Sequence, residues 1–105
     1  MAAVVRDVPE KHRFVIEVDG TTAGYLSYEA QGEALSMVHS EVSDEFEGKG
    51  VGSQLVTGAL EELDRRGVGM LPDCPFVRTF LDRHPEWIRL VPAEKRAHYG
   101  LTLPA

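Results

Sequence analysis

The chain has a single cysteine in 105 residues, so no internal disulfide can staple it and the fold must rest on its own core. A lone thiol suits a reducing compartment, and a cytoplasmic location is the expectation. No apolar run approaches the roughly 20 residues that a membrane-spanning helix needs, and the N-terminus carries no signal-peptide core. Basic residues are also short, 11 Lys and Arg against 17 Asp and Glu, for a net charge of −6. With no basic cluster to follow a phosphate backbone, general nucleic-acid binding is excluded. That balance suits a cationic partner instead, such as an amine. His12, His39, His84 and His98 lack the spacing of zinc ligands, so no metal is expected. Internal repeats and low-complexity tracts are missing too. What remains is one domain, residues 1–105, large enough for a modest core.

The first forty residues read as an antiparallel meander. A short strand is expected around Val4 and Val5, ended by Pro9. From Arg13 to Asp19 apolar and polar residues alternate, with Phe14, Ile16 and Val18 on one face of a half-buried strand. Asp19-Gly20 is a hairpin turn signal, and a partner strand follows over about Thr22 to Glu29. Gln31-Gly32-Glu33 turns again into a third strand, Ala34 to Val42. Unbroken alternation there puts Leu35, Met37, His39 and Glu41 on one face and Ser36, Val38, Ser40 and Val42 on the other. Tyr25 and Tyr28 are expected in the core.

The period then changes. Val51, Leu55, Val56, Ala59, Leu60 and Leu63 fall on one helical stripe, and Gly67 is a C-cap candidate. Val68 to Leu71 predicts a short strand before Pro72, parallel to the third strand in a crossover. A second helix is expected to open at Asp73 or Cys74, with Phe76, Val77, Phe80 and Leu81 inward, and to end at Arg83-His84-Pro85. Trp87, Ile88, Leu90 and Val91 predict a return segment against the core, with a loosely held tail from Pro92.

The centre of this plan is Glu47-Gly48-Lys49-Gly50-Val51-Gly52-Ser53. Alternating glycines remove side chains where a ligand must come close, and a helix that starts there aims free amides and its dipole at an anion. The loop lacks the Gly-Lys-Ser/Thr ending of a Walker loop. It also lacks the preceding strand and the Gly-x-Gly-x-x-Gly spacing of a dinucleotide fingerprint. By itself it reads equally well as a glycine-rich turn capping an ordinary helix.

Four stretches in order settle on a resemblance: His39-Ser40-Glu41-Val42, the glycine loop with its helix, Cys74-Pro75-Phe76-Val77, and Arg83-His84-Pro85-Glu86-Trp87. Together, over about residues 13–91, they resemble the minimal GNAT-like N-acetyltransferases. The resemblance implies an α/β (α+β) fold and an acetyl-CoA-dependent transfer of an acetyl group to an amine, without a metal. By the same resemblance, Glu41 and Val42 offer backbone groups to the pantetheine arm of coenzyme A. The amides of Gly48, Lys49, Gly50, Val51, Gly52 and Ser53 take its pyrophosphate. Glu47 departs from the family's usual Gln or Arg, which puts side-chain help from that position in doubt; Lys49 can offset its charge.

The resemblance also puts a cysteine, here Cys74, where it serves as proton donor or transient acetyl carrier. At a helix start its thiol should lean toward thiolate. His39 titrates in the range a catalytic base needs. Each has a structural alternative, a histidine hydrogen-bonded within the sheet and a small buried hydrophobe; His84 reads as structural. The acceptor stays open among a protein lysine, a polyamine and a small metabolite, and a second copy of this short chain could complete its pocket. Two rivals share the loop: a non-catalytic acyl-CoA-binding module, and an interaction domain that binds no coenzyme A.

Overall fold

The structure, a computed structural model, describes residues 2–104. Strands β1 (Ala3–Val8), β2 (Arg13–Val18), β3 (Thr21–Gln31) and β4 (Ala34–Val42) form an antiparallel meander. Helix α1 (Val51–Arg66) crosses over to β5 (Gly69–Pro72), which lies parallel to β4, so the five strands follow chain order across one mixed sheet. Helix α2 (Pro75–Arg83), a 3-10 segment Pro85–Leu90 and a short helix α3 (Ala93–Arg96) complete the chain. The predicted elements are all present. β1 is longer than the two valines that announced it, because six successive residues pair with β2.

The β2–β3 turn shows how local chemistry sets register. Asp19 and Gly20 both take positive φ, 49° and 84°, the primed geometry that matches strand twist. Phe14 then faces Leu26, and Leu26 faces Ser40. The alternation expected for β4 does not run unbroken. Ser27 pairs with His39 but Tyr28 pairs with Met37, leaving Val38 as a bulge. The extra residue moves Ser40 and Val42 to the face of Met37 and Leu26. It sends His39 and Glu41 to the opposite face, with Tyr25 and Ser27.

Helix α1 lies on the core face. Val51, Leu55, Val56, Ala59, Leu60 and Leu63 are at most 1% exposed. Burial of each leucine contributes about 1.5–3 kcal/mol. Gly58, which the pattern reading passed over, sits where α1 meets β1: a Cβ there would lie 2.6 Å from Val5. Gly67 closes the helix in the left-handed region, its N–H donating to the Asp64 and Leu63 carbonyls.

Two expectations need correcting. Val77, Phe80 and Leu81 of α2 are buried, but Phe76 is 42% exposed, because it precedes the inward stripe and lies across the first turn of α1. The segment 93–101 is not loose. Arg96 Nε donates to Val91 O at 3.0 Å, and Tyr99 Oη donates to Asp73 Oδ1 at 2.9 Å. Asp73 also accepts from the buried Ser36 hydroxyl, so one carboxylate ties the tail to β4.

The Gly58–Val5 approach is testable. Gly58→Ala improves helix propensity, yet it should cost about 1–3 kcal/mol through overpacking, a fall of roughly 4–8 °C in Tm per kcal/mol. Adding Val5→Ala should return much of that loss. An additive double mutant in thermal melts would show that the two elements do not meet there.

Candidate active site

The end of β4, the glycine loop, the first turn of α1 and Phe76 enclose a cleft of about 370 Å³. Ser40, Glu41 and Val42 form one wall; Gly48, Gly50, Val51, Gly52 and Ser53 form the other. Two stretches separated in sequence by a short 3-10 turn, Asp44–Phe46, therefore meet across one opening. Lys49 does not line it; its Nζ lies 5.9 Å from the Phe46 ring centroid. A wider groove of about 750 Å³ between the β3–β4 turn and Pro92–Lys95 contains none of the predicted site residues.

The loop is built around unpaired donors. The first helical hydrogen bond of α1 runs from Gln54 N–H to Gly50 O at 3.1 Å, so the amides before it have no helical acceptor. Gly50 provides no side-chain cap, and the first turn has no acidic residue to neutralise the dipole. Gly48 and Gly50 have φ of 76° and 75°, and the space where their side chains would stand is open. Gly52 is different. A Cβ there would lie 2.7 Å from the Phe76 ring, so packing against α2 already requires glycine.

The sheet separates the two residues picked for catalysis. Cys74 is the N-cap of α2 and is 2% exposed, with Sγ 3.5 Å from Ser40 Oγ. It does not face open amides or solvent, as its position at a helix start had suggested. It reaches the cleft only through Ser40. His39, one residue earlier on the strand, points to the opposite face. There its Nε2 lies 3.4 Å from Glu41 Oε2, and the Tyr25 hydroxyl donates to the same oxygen. Tyr25 is thus no core residue, whereas Tyr28 is buried and donates to Asp7 Oδ1 at 2.6 Å. Glu41 has two functions to offer: backbone on the cleft side, carboxylate on the other.

Sequence reasoning missed Ser40, Tyr25 and the outward Phe76. Ser40 was foreshadowed only by its place beside Glu41 and Val42. Tyr25 depends on the bulge, which has no sequence mark. Among the described residues no group of His, Cys, Asp and Glu could hold a metal ion, and no helix is long and apolar enough to cross a membrane.

A family model described as GCN5-related N-acetyl-transferase matches residues 13–90. The solution structure of a Staphylococcus aureus protein named as a GCN5-like N-acetyltransferase superposes with a TM-score of 0.64. It is 19% identical, with 84% of this chain and 86% of that chain covered, a likeness of fold. No match is found among curated proteins.

The Tyr25–Glu41–His39 group carries a pH prediction. The Tyr25 hydroxyl first, then the His39 ring, hold the Glu41 carboxyl below its ordinary 4.5. A depressed carboxylate gives a contribution that is present above the ordinary value and lost as pH falls through the lower, folded one. A ¹³C titration should place the Glu41 midpoint below 4.5, and Tyr25→Phe should raise it. An unchanged midpoint in the variant would mean that the hydroxyl does not hold the carboxylate.

Proposed function

The chain belongs to the GCN5-related N-acetyltransferase family, and from that membership we propose that it moves an acetyl group from acetyl-CoA to an amine. The observation that carries this reading is the cleft that joins the end of β4 to the uncapped start of α1. Open space at Gly48 and Gly50 fits a pyrophosphate, which the amides of residues 48–53 hold with the helix dipole. The backbone of Glu41 and Val42 takes the pantetheine arm. Acetyl-CoA provides the activated thioester; the chain's own residues position it and handle protons.

The acceptor amine reaches the thioester past the end of β4, coming from the face that carries His39 and Glu41. His39 accepts the proton as nitrogen attacks, and the Glu41 carboxylate, 3.4 Å away, orients the ring. A C–N bond forms and the C–S bond breaks, and the departing thiolate takes a proton by way of Ser40 and Cys74. Direct transfer is favoured over an acetylated Cys74 because that sulfur is 2% exposed and lies behind a hydroxyl. A protein lysine, a polyamine and a small amine all fit this chemistry, and the reaction as drawn requires no metal. The same burial favours one second reading, an acyl-CoA-binding module that transfers nothing.

Acetyl-CoA should raise Tm in the presence of EDTA, since a ligand at 100-fold its Kd adds about 2.7 kcal/mol. Gly50→Asp should abolish the shift; a parent that melts unchanged with acetyl-CoA would defeat the assignment. Gly52→Asp is the poorer probe, because it also collides with Phe76.

In assays over an amine panel, His39→Ala should lower kcat by about 10²–10⁴-fold with Kd for acetyl-CoA unmoved. Intact-mass analysis after single turnover should find no acetyl on Cys74. Binding without transfer to any amine would favour the binding module.

A further inference from the structure

The cleft does not end at the glycine loop. Ser53 and Phe76 line it, and both also line a second depression of about 160 Å³, between the start of α1 and the outer face of α2. Its far wall is Thr79, Arg83 and His84. Phe76 therefore lines both openings, its ring against Gly52 and partly exposed. From Phe76 to Arg83 is about 10 Å along the helix, at about 1.5 Å per residue. A ligand whose diphosphate sits on the α1 amides has one nucleoside's reach to Arg83.

Arg83 is also, among the described residues, the arginine left without a partner. Among the described residues every other arginine is committed: four to carboxylates, two to carbonyl oxygens, and Arg13 to the Tyr25 ring. Arg83 is exposed at the last turn of α2 with no carboxylate on it. The nearby acid Glu86 lies instead 3.8 Å from His84 Nδ1. The His84 ring rests on Phe80, centroids 4.5 Å apart, which holds it as the wall of the depression. In a chain of net charge −6, a guanidinium left free at the end of an anion-binding cleft has a natural occupant.

We propose that Arg83 and Thr79 form a subsite for the 3′-phosphate of coenzyme A, with the Phe76 ring supporting the adenosine between the two openings. This rests on the cofactor reading above and deepens it. A phosphate monoester takes the guanidinium in bidentate fashion and the threonine hydroxyl as a further donor. The site would distinguish coenzyme A from its 3′-dephospho form, a difference the glycine loop cannot sense.

Calorimetric titration of the parent and of Arg83→Gln with coenzyme A and with 3′-dephospho-coenzyme A tests this directly. The parent should prefer coenzyme A by about tenfold, the effect of one charged hydrogen-bonding contact. Arg83→Gln should erase that preference while leaving the dephospho Kd in place, and Arg83→Lys should restore part of it. Equal affinity of the parent for both ligands, or an Arg83→Gln loss that is the same for both, overturns the subsite and leaves the glycine-loop site standing. A parent that binds neither ligand overturns the cofactor reading as well.

Discussion

Everything in this molecule depends on how α1 is held against the sheet. Its apolar stripe is buried along the full length of the helix, from Val51 to Leu63. Gly58 lets β1 come into direct contact midway, at Val5. At one end Gly67 satisfies the last carbonyls, and Arg65 and Arg66 suit the negative pole. The other end has neither a side-chain cap nor an acid. Packing elsewhere on the helix therefore supports a start with unpaired donors, and that start is aimed across a narrow gap at the end of β4. Capping by a Ser or Asp at Gly50 would satisfy a donor, but in the wrong place for a phosphate and at a φ of 75°.

The second determinant is the bulge at Val38. One unpaired residue lets β4 serve both sides of the sheet within four positions. Ser40 and Val42 join the core face, where the cleft and Cys74 lie; His39 and Glu41 present their side chains to the other. An unbroken strand would have put His39 on the face of Met37, among buried side chains, where a base meets no acceptor. Bulges near active sites re-aim side chains in this way. The bulge thereby sets the cleft wall and the His39–Glu41 pair on opposite faces of one strand, at the same end of β4.

The order of elements, the faces of β2 and α1, both hairpin turns and the opening of α2 at Cys74 were readable because each rests on a local rule. Alternation, a helical stripe, glycine at positive φ and proline at a first helical turn act over a few residues. The glycine loop was readable for the same reason. What failed was set by distant contacts. The bulge comes from pairing with β3, and with it went the placement of Tyr25 and the separation of His39 from Cys74. Phe76 looked inward because its neighbours are, yet its ring is claimed by Gly52, more than twenty positions away in sequence. The tail looked loose because nothing in Pro92 to Ala105 announces that Tyr99 will reach Asp73.

Net charge and local dipoles act differently on the two substrates proposed for this acidic chain. At net −6 its long-range field repels a polyphosphate, and most of its arginines are already engaged within the fold. On the proposed reading, the diphosphate is therefore held by short-range dipoles, amides that carry no net charge. The same field would favour the amine proposed as acceptor, and the Glu41 carboxylate stands exposed beside His39 on the opposite face. On that reading, excess acid costs little at the cleft, where contact dipoles act, and helps on the other face, where steering does.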